Sequence, residues 1–274
     1  MTEAATIHDD ILAQICAATR AGITRRKQHA PLETLQRQIA QLPQARSFIK
    51  ALKESAAGFS LIAEIKRPTA QATADPSFHP GLLARMYAQA GATCLSVVTG
   101  SHSYGGSESD LTTAKAAVNL PILRKDFILE PYQVYESRAL GADCILLVMA
   151  ALSDGEANEL YDLARALGME ALVEVRDRYE LKRAHKLTPA MISINNRNLK
   201  TGAVDIETSL TLAREIPELC LKVCEGGIRD RKTADLLKTE GYQAFFIGDL
   251  LMTPDEIESI LQALNTGRLT QTMN

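Results

Sequence analysis

CILLVMAALSDGEANELYDLARALGMEALVEV, residues 144–175, contains one strand–helix–strand unit, and its reading decides the fold. CILLVM (144–149) and ALVEV (171–175) are apolar at consecutive rather than alternate positions. That pattern marks strands covered on both faces, as in parallel sheets with helices outside. Between them Ser153-Asp-Gly-Glu156 has the spacing of a capping box, and Leu160, Leu163, Ala164 and Leu167 make one apolar stripe of helical period.

The same unit recurs on either side. LIAEIK (61–66), CLSVVT (94–99), PILRKD (121–126), MISINN (191–196), LKVCEG (221–226) and AFFIGD (244–249) bring the strands to eight. Helix signals fall between them. Ser107-Glu-Ser-Asp110 resembles a second capping box, Pro131 opens PYQVYESRAL and Gly141 closes it, and Thr253-Pro-Asp-Glu256 starts a last helix. Eight alternations predict an α/β chain folded as a (β/α)8 TIM barrel. The rival, a doubly wound open sheet, usually has fewer strands and a Gly-rich turn after the first. Here the first strand runs into EIKRPTAQA, which has no glycine. Residues 7–53 have helical period and precede the first strand, so a helical extension covers part of the barrel. The chain is expected to be a single domain over 1–274: an extension to residue 60, a barrel over 61–265 and a tail over 266–274.

Bulk properties exclude several classes. The net charge of −3 argues against nucleic acid as the main partner. No run approaches the ~18 apolar residues of a membrane span, and MTEAATIHDD lacks the basic start and apolar stretch of a signal peptide. Five cysteines without a paired framework suit a reducing cytoplasm, and Cys220 and Cys224 do not match a zinc site. The expectation is a cytoplasmic protein that takes a small molecule, with no metal, as a monomer or weak homo-oligomer.

A parallel barrel gathers the C-terminal ends of its strands at one mouth. Glu64 and Lys66 sit two apart and share a face, with Ile65 turned toward the helices. Two opposite charges there either satisfy each other or meet a ligand. Lys125 ends the third strand, alternating with a helix-facing Arg124; near other cations its pKa is expected to fall, which suits a general acid. Glu174 lies inside an apolar strand, where burial raises a carboxylate's pKa. Its blander role is a salt bridge to a neighbouring lysine. Asn195 offers an amide, Arg197 a planar fork for an anion, and the glycines of CEGGI (224–228) and IGD (247–249) a backbone phosphate site after strands seven and eight.

In this order EIK, LRKDF, LVEV, INNRNLKT and the terminal GI…IG resemble the indole-3-glycerol-phosphate synthase family, over about residues 61–255 and in the helical extension as well. The resemblance implies closure of an indole ring from 1-(2-carboxyphenylamino)-1-deoxyribulose 5-phosphate, with loss of carbon dioxide and water and without metal or organic cofactor. It implies Lys125 as the general acid at the substrate carbonyl and Glu174 as a proton-transfer group in the dehydration. Lys66 would hold anionic groups, Glu64 and Asn195 would orient the hydroxyls and ring nitrogen, and Arg197 would lie by the anthranilate end. Phe127 and Tyr104 would pack the ring, Thr69 and Glu225 would touch substrate, and Gly226, Gly227, Gly248 and the N–H of Asp249 would hold the phosphate. The chain departs from the family locally. RPTAQAT puts Thr69, Ala70 and Gln71 where the family reads Ser-Pro-Ser, Gly226 stands for a serine, and GSHSYGG replaces an acidic, aromatic-rich segment. These departures leave two further readings: a paralogue acting on a related phosphorylated amino-ketose, and a non-catalytic scaffold.

Overall fold

The computed structural model describes residues 3–55, 59–67, 78–100, 105–198, 201–228 and 230–248. Three helices come first: α1 (Glu3–His29), α2 (Leu32–Ile39) and α3 (Phe48–Lys53). Then strands and helices alternate as β1 (Ser60–Ile65), α4 (Pro80–Gln89), β2 (Cys94–Val98), α5 (Glu108–Ala117), β3 (Ile122–Lys125), α6 (Pro131–Ala139), β4 (Cys144–Val148), α7 (Asp154–Ala166), β5 (Glu170–Val175), α8 (Arg178–Ala184), β6 (Met191–Asn195), α9 (Glu207–Leu212), β7 (Leu221–Glu225), α10 (Arg231–Thr239) and β8 (Tyr242–Ile247). Each strand pairs in parallel with the next and β8 closes on β1, giving the expected eight-stranded barrel. The helix expected at Thr253 lies outside the described residues.

The apolar runs are strands because they bury both faces: every residue of β1, β2 and β4 is buried. All five cysteines are buried free thiols. No helix among the described residues is long and apolar enough to cross a membrane.

Local signals account for the helix starts. Ser153 and Glu156 form the capping box of α7. Pro131 opens α6, and Gly141, at φ 90°, follows its last turn. The box expected at α5 is only half formed. Ser107 caps through the N–H of Ser109, but Asp110 turns away to Arg67, at 3.0 and 3.2 Å. One guanidinium nitrogen, Nη2, reaches both oxygens of Asp110, and this charge-assisted contact outcompetes a neutral backbone N–H for the carboxylate.

The extension covers the end of the barrel opposite the mouth. Phe48 and Leu52 of α3 are buried, and Glu170, at the start of β5, accepts from Ser47 Oγ at 2.8 Å and the N–H of Ile49 at 2.6 Å. The N–H of Arg46 reaches Asp143, just before β4, at 2.8 Å. Helix α2 lies along α6, where Ile23, Leu35 and Tyr132 form a small second core. With that end of the barrel covered, its C-terminal end is the open one.

Candidate active site

Residues at the ends of all eight strands line a cavity of about 420 Å³, within the usual range for a small-molecule site. Val98, Phe127, Leu146, Val148, Phe246 and Ile247 give it an apolar wall, and eight charged side chains gather over that wall.

Lys125 is at the centre. Its ammonium contacts Glu64 Oε2, lies 2.9 Å from Glu225 Oε1 and sits 4.4 Å from the centroid of the Phe246 ring. Glu64 bridges two cations, since its Oε1 lies 3.4 Å from Lys66. The pair expected from sequence therefore exists as part of a larger network. Arg124 faces the helices as predicted, fully buried, and donates to Glu136 at 2.9 Å, Thr99 at 2.9 Å and Asp126 at 3.1 Å.

Two expectations about charge need correcting. Burial alone would lower the Lys125 pKa, but Glu225, Glu64 and Glu174 outweigh it and hold the ammonium well above the ordinary lysine value. The immediate neighbours are carboxylates, not cations. The balancing shift falls on Glu225, which burial pushes up to about 7 against the pull of Lys125 and with help from Glu174 and Glu64. Glu174 does have a salt-bridge partner, but it is Arg176 rather than a lysine.

The glycines are positioned by their neighbours. Gly226 and Gly227 have φ of 80° and 83°, a region favouring glycine, and turn the chain at the end of β7. Asn196 anchors that turn: its amide donates to the carbonyl of Gly226 at 2.9 Å and accepts from Ser209 Oγ at 2.8 Å. Gly248 has no room for a side chain, because a Cβ there would fall 2.6 Å from Glu64 Oε1.

The structure brings Glu64, Lys66, Lys125, Phe127, Glu174, Asn195, Arg197, Glu225, Gly226, Gly227 and Gly248 to one cavity. Asn195 accepts from the N–H of Arg197 at 3.0 Å, and Arg197 is exposed, with its guanidinium on the carbonyl of Gly202 at 3.1 Å. Thr69, Tyr104 and Asp249 lie outside the described residues. Sequence reasoning missed Arg176 and Asn196. Arg176 carried a signal, since it stands two after Glu174, on the same face as the strand leaves the barrel. Asn196 alternates with Asn195 and so turns outward. Among the described residues no group of three or more His, Cys, Asp or Glu side chains is arranged to hold a metal ion.

The family model for indole-3-glycerol phosphate synthase matches residues 12–264. The indole-3-glycerol phosphate synthase of Azospirillum brasilense is 43% identical over 258 residues, 93% of this chain and 98% of that protein. That of Rhodospirillum rubrum is 42% identical over 259 residues, with the same coverage. Among solved structures, the N-acetylmannosamine-6-phosphate 2-epimerase of Clostridium perfringens is 17% identical with a TM-score of 0.59, covering 79% of this chain and 96% of its own. A 3-hexulose-6-phosphate synthase is 14% identical with a TM-score of 0.57, covering 75% and 98%. At that identity these two share the fold alone.

Proposed function

This chain belongs to the indole-3-glycerol phosphate synthase family, and from that premise we propose how its barrel mouth closes an indole ring. The enzyme is a carboxy-lyase of tryptophan biosynthesis. Its substrate is 1-(2-carboxyphenylamino)-1-deoxyribulose 5-phosphate, which carries a carboxylate and a phosphate at opposite ends of a small aromatic sugar. Such a molecule needs two anion sites and an apolar slot between them. The wall of Phe127, Leu146 and Val148 offers the slot, the glycines after β7 and β8 one anion site, and Lys66 and Arg197 cationic groups for the rest.

Lys125 carries the reading, as an ammonium held at the centre of the cavity between Glu64 and Glu225. The ring carbon bearing the carboxylate attacks the ribulose carbonyl, and Lys125 protonates the oxygen as the carbon–carbon bond forms. The electron pair comes from the ring, assisted by the aryl nitrogen. Loss of carbon dioxide returns a pair to the ring and restores its aromaticity. The new hydroxyl then leaves as water, taking a proton, and the neighbouring methylene gives one up to complete the indole. Glu174 is the proton-transfer group for this second half. Glu225, near 7, is matched to pass protons at neutral pH, since a general acid or base works best with a pKa close to the operating pH.

The three carboxylates also hold Lys125 in its charged, proton-bearing form before substrate arrives. Glu64 holds that ammonium over the ring of Phe246 and aims it into the cavity. The test is direct: the purified protein is mixed with the carboxyphenylamino-deoxyribulose phosphate and indole absorbance and fluorescence are followed. Appearance of indole-3-glycerol phosphate is expected; bound substrate without product would sink the reading.

A further inference from the structure

Arg176 lines the cavity beside the proton-transfer group, and its hydrogen bonding is incomplete. It leaves the end of β5 two residues after Glu174, its side chain only 14% exposed. One guanidinium nitrogen, Nη2, rests against Glu174 Oε1. That contact is a charge pair without a well-aligned hydrogen bond: Glu174 Oε1, Arg176 Nε and Arg176 Nη1 are all buried with no hydrogen-bond partner. Among the described residues seven buried side-chain atoms lack a partner, so this one pair holds three of them. Leaving a buried donor or acceptor unmade is costly, and a charged one more so. A guanidinium left so in this pose gains hydrogen bonds by turning toward an anionic group in the cavity that it lines.

The group it suits is an anionic oxygen. A guanidinium matches a carboxylate in a planar, two-point fashion that an ammonium does not. Its place selects which anion. Arg176 sits on β5 next to β6, whose Arg197 lines the same cavity, whereas the glycines proposed for the phosphate follow β7 and β8. We propose that Arg176 is a substrate-gripping residue: in the free site it rests on Glu174 with Nε and Nη1 shielded, and on binding the side chain turns into the cavity and presents these unpaired N–H groups to the ring carboxylate of the substrate. The inference rests on the substrate reading above. Glu174 competes for the same guanidinium and keeps the grip moderate, which suits a carboxylate that must leave as carbon dioxide. Once the carboxylate has left as carbon dioxide, Arg176 is released to return to Glu174 for the second half of the reaction.

The experiment is titration calorimetry with two unreactive ligands: the substrate with its ketone reduced to the alcohol, and the same molecule lacking the ring carboxylate. Wild type, Arg176→Gln and Arg176→Lys are compared, the lysine variant serving if glutamine disturbs folding. Arg176→Gln is expected to weaken the carboxylated ligand by about 10- to 100-fold, the worth of a charged hydrogen bond, and the other by less than about threefold. Arg176→Lys is expected to restore part of the loss. Equal losses for both ligands, or none, overturn the inference while leaving the ring-closing reading intact, since that is tested separately by indole release from wild type. Normal discrimination by Arg176 in a wild type that releases no indole upholds the inference and rejects the ring-closing reading. Wild type that binds neither ligand overturns both.

Discussion

Replacing Gly248 with alanine tests whether Glu64 acts through its position. The added Cβ would lie 2.6 Å from Glu64 Oε1, 2.8 Å from its Cδ and 3.0 Å from its Cβ. Ordinary contact begins near 3.4 Å, so the carboxylate has to move by nearly an ångström. Swinging the carboxylate tip aside is not enough, because the clash extends to the Cβ of Glu64 and hence toward the backbone of β1. Glu64 is one of the two carboxylates that hold Lys125, and it also meets Lys66, so a shift of this size unseats both lysines. Misplacing a catalytic group by about 1 Å costs roughly 10²-fold in rate, and overpacking a full site costs roughly 1–3 kcal/mol. Gly248→Ala is therefore expected to lower kcat by about 10²-fold, measured by indole fluorescence, with a fall in Tm of several degrees. Gly155→Ala is the control: nothing lies within 4 Å of its Cβ, and the change should leave activity intact and Tm unchanged or higher. If Gly248→Ala keeps kcat within threefold of wild type, or changes KM alone, Glu64 does not govern Lys125 and the glycine serves only the phosphate.

Lys125→Met should cut kcat/KM by about 10²–10⁴-fold, with some loss of stability because Glu64 and Glu225 are left without their shared cation; full activity in a steady-state assay would reject the acid assignment. Glu225 has its pKa raised from 4.5 to about 7, so the folded protein binds that proton more tightly than the unfolded chain. Its contribution is thus complete below about 4.5 and declines as pH rises to about 7. Urea midpoints of wild type relative to Glu225→Gln should fall across that window and level off above it; a difference that rises with pH would contradict the assignment. Arg124→Met leaves Glu136 and Asp126 buried without their shared cation, which should cost about 3–5 kcal/mol in urea unfolding; a loss below 1 kcal/mol would show that the network is not needed for stability.

What could be read from the sequence depended on how local the cause was. The eight strands were legible because burial on both faces writes an uninterrupted apolar run into each. Glu64, Lys125, Glu174 and Asn195 stood out as polar residues at the ends of such runs, where barrel geometry alone brings them together. The direction of the Lys125 pKa was not legible, because Glu225 is 100 residues away and only the closed barrel sets it at 2.9 Å. Arg176 opens RDR (176–178), two residues after Glu174, and the structure shows its guanidinium buried against that carboxylate. Asp110 was misassigned because its competing partner, Arg67, lies on the far side of β2. The need for glycine at 248 is set by the carboxylate of Glu64, from the opposite end of the barrel sequence.

The charges at the mouth bear on how decarboxylation is arranged. Among the described residues lining the cavity, Lys66, Lys125, Arg176 and Arg197 face Glu64, Asp126, Glu174 and Glu225, so the formal charges cancel. A mouth with a large positive excess would bind a carboxylate and a phosphate more tightly, but it would stabilise the carboxylate that has to be lost. Binding substrate and transition state equally well brings no gain in kcat. Here each of the two central cations is already engaged, Lys125 by Glu64 and Glu225 and Arg176 by Glu174. Uncharged backbone N–H groups beside the glycines can hold the phosphate without adding net charge to the site. Affinity is thereby placed at the end of the substrate that does not react, and the reacting end meets charges that are shared and can be redistributed as the bonds change.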